Sequence, residues 1–443
     1  MYFKIILILT LTFFSGCKSS FDDITPGRGS ADFSRTISIG GNFLSGYQDG
    51  ALFRHGQERS IPALLAGQFK TAGGGDFIHP LMPDDKGLGL TFKGWSDPFQ
   101  GKSNLGYKTD CEGVTSLSPL KDTFGLAAAG IYLDRIVATS FNDFTVPFAG
   151  IKDLLDPAFS RSYADGNQNP YYHRFASNPD TSTLISDAIN QPFTFFILWA
   201  GMEEIYNYAS RGGTTSKPMV SPIFETYLDI ILSRLTASGA KGVLANIPDI
   251  SAFPFYTLIN PRGVELTQEK ADSLNMVNGN LFNYSEGANG FIIEDPNAAY
   301  GYRQMNASEV VLLSVPVDSL KCNFLGVFLP LPDRYVLDAY EVETIIKAIE
   351  GYNEVINKKV EQFNIPVVDM NKFFNTLKVG IYIDGVEYNS EFVSGGFYGL
   401  DGYHPNEKGY GILANEFIAT INRHYGSTVP LTLCDGCKGI IFP

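Results

Sequence analysis

Short apolar runs alternate with helical patterns along this chain, and the alternation predicts an α/β sheet with crossover helices. Residues Thr36 to Ile39 read as the first strand. The run "FTFFILWAG", Phe193 to Gly201, is continuously apolar, as strands buried on both faces are. "KGVLANI", Lys241 to Ile247, and "IPVVDM", Ile365 to Met370, are of the same kind. Val342, Ile345, Ile346, Ile349, Tyr352, Ile356 and Val360 recur every three or four residues with Glu and Lys elsewhere, the pattern of an amphipathic helix. A second helix is expected over Pro222 to Leu235. A last one should run from about Asn406 to Ile421, with Pro405 near its first turn. The loop-rich stretches around 70–120, 140–190 and 250–335 read as insertions decorating the sheet.

In open α/β sheets, ligands bind beyond the carboxyl ends of the strands. Three segments obey that rule: "GGN" after the first strand, "GMEE" after the run ending at Ala200, and "DGYHP" before the final helix. Composition narrows the partners. At 443 residues and 44% hydrophobic, the chain can bury a large core, while a formal charge of −14 repels phosphate backbones and argues against nucleic acid.

The N-terminus reads as a processing signal. Lys4 is its positive region, Ile5 to Phe14 its apolar core, and Phe14-Ser15-Gly16-Cys17 a lipobox-like cleavage site. The expected organisation is a lipoprotein signal peptide over 1–16, lipidation at Cys17 and a flexible tether over 17–33. One catalytic-type domain over 34–425 and a tail over 426–443 complete it. Such a chain would be exported and lipid-anchored to a bacterial membrane, most simply the outer one. Cys111, Cys322, Cys434 and Cys437 could form disulfides there in three pairings. Their spacing does not choose among the three, although a local Cys434–Cys437 bond is the plainer reading.

The chemistry concentrates in "LDGYHPNEKGYGILANEF". Asp401 and His404 stand three apart in a glycine-containing turn, so the carboxylate can hold one imidazole nitrogen while the other faces outward as a base. With this stretch in view, the chain resembles the SGNH/GDSL hydrolases, in particular a group of large bacterial lipoproteins. The likeness runs from about Gly29 to Val429. It includes "GSADFSRTISIGGNFLSGYQDGALF", "YYHRFASNP", "FFILWAG", "ANIPDISAFPF", "IEDP", "PLPDRYVLD" and "GLDGYHPNEKGYGILANEFI".

The resemblance implies a three-layer, flavodoxin-like fold: a central parallel sheet with helices on both faces, carrying large loop insertions. It implies ester hydrolysis by a Ser-Asp-His triad without a cofactor or metal. The oxyanion hole would be made by the serine amide, a glycine amide and an asparagine side chain. Asp401 and His404 match the triad's acid and base. The other half departs. The family reads Gly, Asp or Asn, then Ser after the first strand; here an ungapped match gives Gly40, Gly41 and Asn42, and a one-residue shift ends on Phe43. Neither supplies a hydroxyl. The family's Gly-x-Asn-Asp is Gly201-Met202-Glu203-Glu204, so Glu203 stands where a donor is needed. The second-block glycine falls in "FGLAAAG", at Ala128 or else Gly130.

Losing a triad serine typically costs on the order of 10⁶ in rate, and one oxyanion donor another ~10²–10³. The expected function is therefore a catalytically impaired hydrolase-fold lipoprotein. It would bind a small-molecule, glycan or acyl-ester ligand at Gly41, Asn42, Ala128, Glu203 and Glu204, and its tether would suit an outer-membrane uptake complex. The alternative is an active esterase, lipase or carbohydrate deacetylase. That would need a relocated nucleophile, Ser45 or Ser38, or a metal held by His404, Asp401, Glu203 and Glu204.

Overall fold

A computed structural model describes residues 25–89, 99–136, 140–161, 169–279, 281–434 and 436–443. The expected signal peptide, Cys17 and most of the expected tether lie outside the described residues.

Five strands form one parallel sheet: Thr36–Gly40, Asp143–Thr145, Phe195–Trp199, Lys241–Ala245 and Val367–Val368. Numbered along the chain they lie in the order 2-1-3-4-5. This is the doubly wound, flavodoxin-like arrangement, whose ligand crevice opens where the winding reverses, between the first and third strands. The expected α/β class and layered architecture are what the chain adopts. Every residue of the first and third strands is buried, which requires cover on both faces and explains their unbroken apolar sequence.

Alternation along Phe195–Trp199 assigns the layers. Phe195 meets Phe69 and Tyr425, and Trp199 meets Phe417, so this face carries the helices Ile61–Phe69 and Glu407–Tyr425. The remaining long helices, Ser221–Thr236 and Ala339–Phe363, pack together through the stacked rings of Phe224 and Tyr352, 4.1 Å apart. Helix Ala339–Phe363 starts at a capping box, Asp338 with Glu341, and stops at Asn364 in the left-handed region.

Three expectations need correction. The stretch 140–190 is not all insertion, because Asp143–Thr145 is a sheet strand; three residues are too short to stand out as a pattern. The end of the expected tether is folded. Ala31 and Phe33 are buried, Gly27 and Thr428 hydrogen-bond to each other, and the Ser30 N–H donates to the Tyr425 carbonyl. The 426–433 part of the tail belongs to the same seam, with Val429 buried and the Asn422 and Asn415 side chains bonded to it.

Two long insertions stand above the carboxyl ends of the strands. One is the hairpin Phe99–Thr109/Thr115–Phe124. The other, within 250–337, has its own small core around Phe291, Ile293, Val311 and Leu331. A Cys111–Cys322 disulfide joins the hairpin tip to the helix Val317–Cys322, and Cys434–Cys437 is the local pair. Among the described residues, no helix is long and apolar enough to cross a membrane.

Candidate active site

The turn Asp401–His404 is set by Gly402, whose φ of +68° suits glycine. The turn folds the acid back onto the base. Asp401 Oδ2 lies 2.9 Å from His404 Nδ1, and Oδ1 accepts from the N–H groups of Tyr403 and His404. Gly50 donates a further N–H to Oδ2 at 2.9 Å. Burial pushes the Asp401 carboxyl up, but the His404 imidazole and these N–H groups outweigh it and hold the group below its ordinary value. An ionised Asp401 fixes the tautomer with the proton on Nδ1, leaving Nε2 as the free base.

That base faces no nucleophile. His404 is 1% exposed, and its Nε2 has no hydrogen-bond partner among the described residues. Aromatic rings enclose it instead: Tyr47 and Tyr403 at 4.9 Å, Phe43 at 5.5 Å and Tyr206 at 5.9 Å.

The opposite wall is built at the sheet's switch point. The first strand ends at Gly40, and the short helix Asn42–Ser45 begins two residues later. The third strand leads through Gly201 into helix Met202–Ala209, with Glu203 in its first turn. Glu203 reaches across, and its Oε1 accepts the Asn42 N–H at 2.7 Å. A Cβ on Gly41 would lie 1.9 Å from that oxygen, so only glycine fits beneath it. The Asn42 side chain is engaged in turn, with Oδ1 accepting the Phe148 N–H at 2.7 Å. Asn42 Nδ2 and Glu203 Oε2 have no partner among the described residues.

Burial raises the Glu203 carboxyl to about 8, with Glu204 and Asp153 adding repulsion against the relief from the Asn42 N–H. At neutral pH it is therefore mostly the neutral acid. Glu204 lies alongside. Its Oε1 accepts the Ile151 N–H at 2.6 Å, tying the loop after strand Asp143–Thr145 to the helix. Burial raises Glu204 to about 7.

The structure thus brings together Gly41, Asn42, Glu203, Asp401 and His404, with Glu204 at the margin. Ala128 lies in the helix Leu126–Leu133, which precedes the second sheet strand in the chain and packs beside Pro170–His173. The N–H that converges on Asn42 comes from Phe148, in the loop following the second strand. Sequence reading missed it because Phe148 adopts φ +66°, a conformation glycine would have advertised and a bulky residue conceals. Phe43, the shifted alternative to Asn42, packs among Trp199, Phe253, Phe374 and Tyr403.

The substitute serines are engaged elsewhere. Ser45 Oγ donates to the Asn42 carbonyl at 2.9 Å, inside its own helix. Ser38 Oγ donates to Asp143 at 2.7 Å, and the second oxygen of that carboxylate holds His79 Nδ1 at 2.8 Å. The acid lies between the hydroxyl and the imidazole there, so the histidine cannot take the serine's proton. Among the described residues, no three His, Cys, Asp or Glu side chains are placed to share a metal ion.

The model of the GDSL-like lipase/acylhydrolase family matches residues 160–417, more than half of the chain. The chain belongs to this family. The matched segment holds Glu203, Asp401 and His404 and leaves out Gly41, Asn42 and Phe148. No curated protein matches the chain.

Proposed function

We propose that this family member binds through its hydrolase fold without turning esters over, as an exported lipoprotein tethered at Cys17. One observation carries the reading. The two backbone N–H groups at this end of the sheet are already capped by the chain's own Glu203 and Asn42 side chains, opposite an imidazole whose Nε2 meets no hydroxyl among the described residues. A hydrolase that loses only its nucleophile keeps a residual ~10³–10⁴ of rate enhancement from its oxyanion hole and substrate binding. With the hole filled by an internal oxygen, that residue of catalysis goes too.

The same burial bears on the ligand. Asn42, Glu203 and His404 are 0%, 2% and 1% exposed, so a glycan or acyl group entering there would first have to displace aromatic rings. Binding at an outer face of these loops fits the geometry better, and a tethered chain could present that face to an uptake complex. The test is hydrolysis of short-chain aryl esters by the full chain, with parallel labelling by a fluorophosphonate. No turnover and no labelled serine are expected. Turnover abolished by His404→Ala, or a label on any serine, would overturn the reading.

A further inference from the structure

Beside the acid–base turn lies a cavity of about 240 Å³. Its walls include Gln48, Asp49, His55, Lys102, Ser103 and Glu407, with segment 438–443 along one side. We propose that this cavity binds a neutral polyhydroxylated ligand the size of a single sugar ring.

Two of its walls hold polar atoms with nothing to bond. Gln48 and Ser103 are each 2% exposed, and Gln48 Oε1 and Ser103 Oγ have no partner among the described residues. A buried acceptor and a buried hydroxyl left unmatched cost about 1–3 kcal/mol each, which a ligand hydroxyl at either would relieve. The charged groups are matched already. Asp49 Oδ1 accepts the Leu400 N–H at 2.7 Å, and Glu407 Oε2 accepts the Lys438 N–H at 2.7 Å. Glu407 Oε1 lies 3.3 Å from His55 Nε2, and the Lys102 ammonium sits 4.5 Å over the Phe53 ring.

What remains on offer is a set of uncharged donors and acceptors, which suits alcohol groups that do both. Three carboxylates, of Asp49, Asp85 and Glu407, disfavour an anion. Burial raises Asp49 to about 7, which weakens the attraction for a cation. The volume falls below the ~300–1,000 Å³ of pockets for drug-sized ligands, so one ring fits and a chain does not. The site also touches the acid–base turn. Asp49 holds Leu400, and its neighbour Gly50 holds Asp401, so an occupant would brace the loop that carries His404.

The proposal rests on the binding reading above, and its test is separate from that one. Glucose, galactose, mannose and N-acetylglucosamine are titrated calorimetrically into the full chain in detergent, with acetate and ethylammonium as charged controls. At least one sugar should bind while both controls stay silent. Ser103→Ala and Gln48→Leu should each weaken binding about threefold to tenfold, the worth of one neutral hydrogen bond, while the melting temperature of the ligand-free chain holds or rises because each removes an unmatched buried atom. Should Gln48→Leu fold poorly, the hairpin variant Ser103→Ala decides alone. Silence of all four sugars, tighter binding of a charged control, or unchanged affinity in Ser103→Ala would overturn the proposal. A labelled serine in the esterase assay would overturn the reading of the switch point and leave this result standing.

Discussion

The two halves of the candidate site are built differently. On the Asp401–His404 side every contact expected of an acid–base pair is in place: the carboxylate is held by three N–H groups and orients the imidazole. On the Asn42–Glu203 side, the Asn42 and Phe148 amides are bonded by side chains of the chain itself. The acid–base half is a local turn of four residues, stable through its own hydrogen bonds. The other half draws on three strands and their loops, so a change at one position demands an answer from the others. Glu203, buried beside Asn42, takes that residue's N–H on Oε1, and Phe148 completes the circuit by donating to the Asn42 side chain.

The largest effect should come from rebuilding the altered half. Asn42→Ser alone is expected to give little esterase activity, because Glu203 still occupies the hole. Asn42→Ser with Glu203→Asn should exceed it by about 10²-fold, the worth of an oxyanion donor. Equal rates in the single and double variants would break the correspondence drawn between Glu203 and the family's asparagine. Next is the aromatic seal. Phe43→Ala, truncating a buried ring between the halves, should cost about 3–5 kcal/mol in urea unfolding.

A pH series on Glu203→Gln sharpens the comparison further. With its folded value raised to about 8, the Glu203 carboxyl is protonated in the native chain where the unfolded chain has lost the proton. Stability from this group is therefore complete below about pH 4 and declines as pH rises, until it levels off above about pH 8. Glu203→Gln should unfold at a higher temperature than the parent at pH 8, and the gap should close towards pH 5. A gap constant with pH would mean that Glu203 is ionised in the fold. The smallest effect is expected from Phe148→Gly. Relief of a left-handed backbone, about 1–2 kcal/mol, offsets the lost contacts with Tyr47 and Tyr206, so unfolding should shift by about 1 kcal/mol at most. A loss as large as that of Phe43→Ala would show that the conformation carries no strain.

Much of this was legible in the residues. Apolar runs marked four of the five sheet strands, periodicity marked the helix Ala339–Phe363, and the expected helices over 222–235 and 406–421 fall within a few residues of Ser221–Thr236 and Glu407–Tyr425. Those elements are long or wholly buried, so their patterns are strong. Asp401 and His404 could be paired because their contact is local. What escaped was non-local. The strand Asp143–Thr145 is defined by its neighbour, not by its own three residues. The Phe148 amide is aimed by a backbone conformation its side chain disguises. The disulfide partners of Cys111 and Cys322 stand 211 residues apart, beyond any spacing rule. Burial of the site follows from rings supplied by three segments, at positions 43–47, 206 and 403, which no single window reveals.

The Cys111–Cys322 bond has a practical corollary. A protease cutting once anywhere between those two cysteines would leave pieces that migrate together on a gel until a reductant is added. Nicked and intact chains would then be indistinguishable by size under oxidising conditions, and a preparation that looks whole could already have been clipped in the 250–321 part of the insertion.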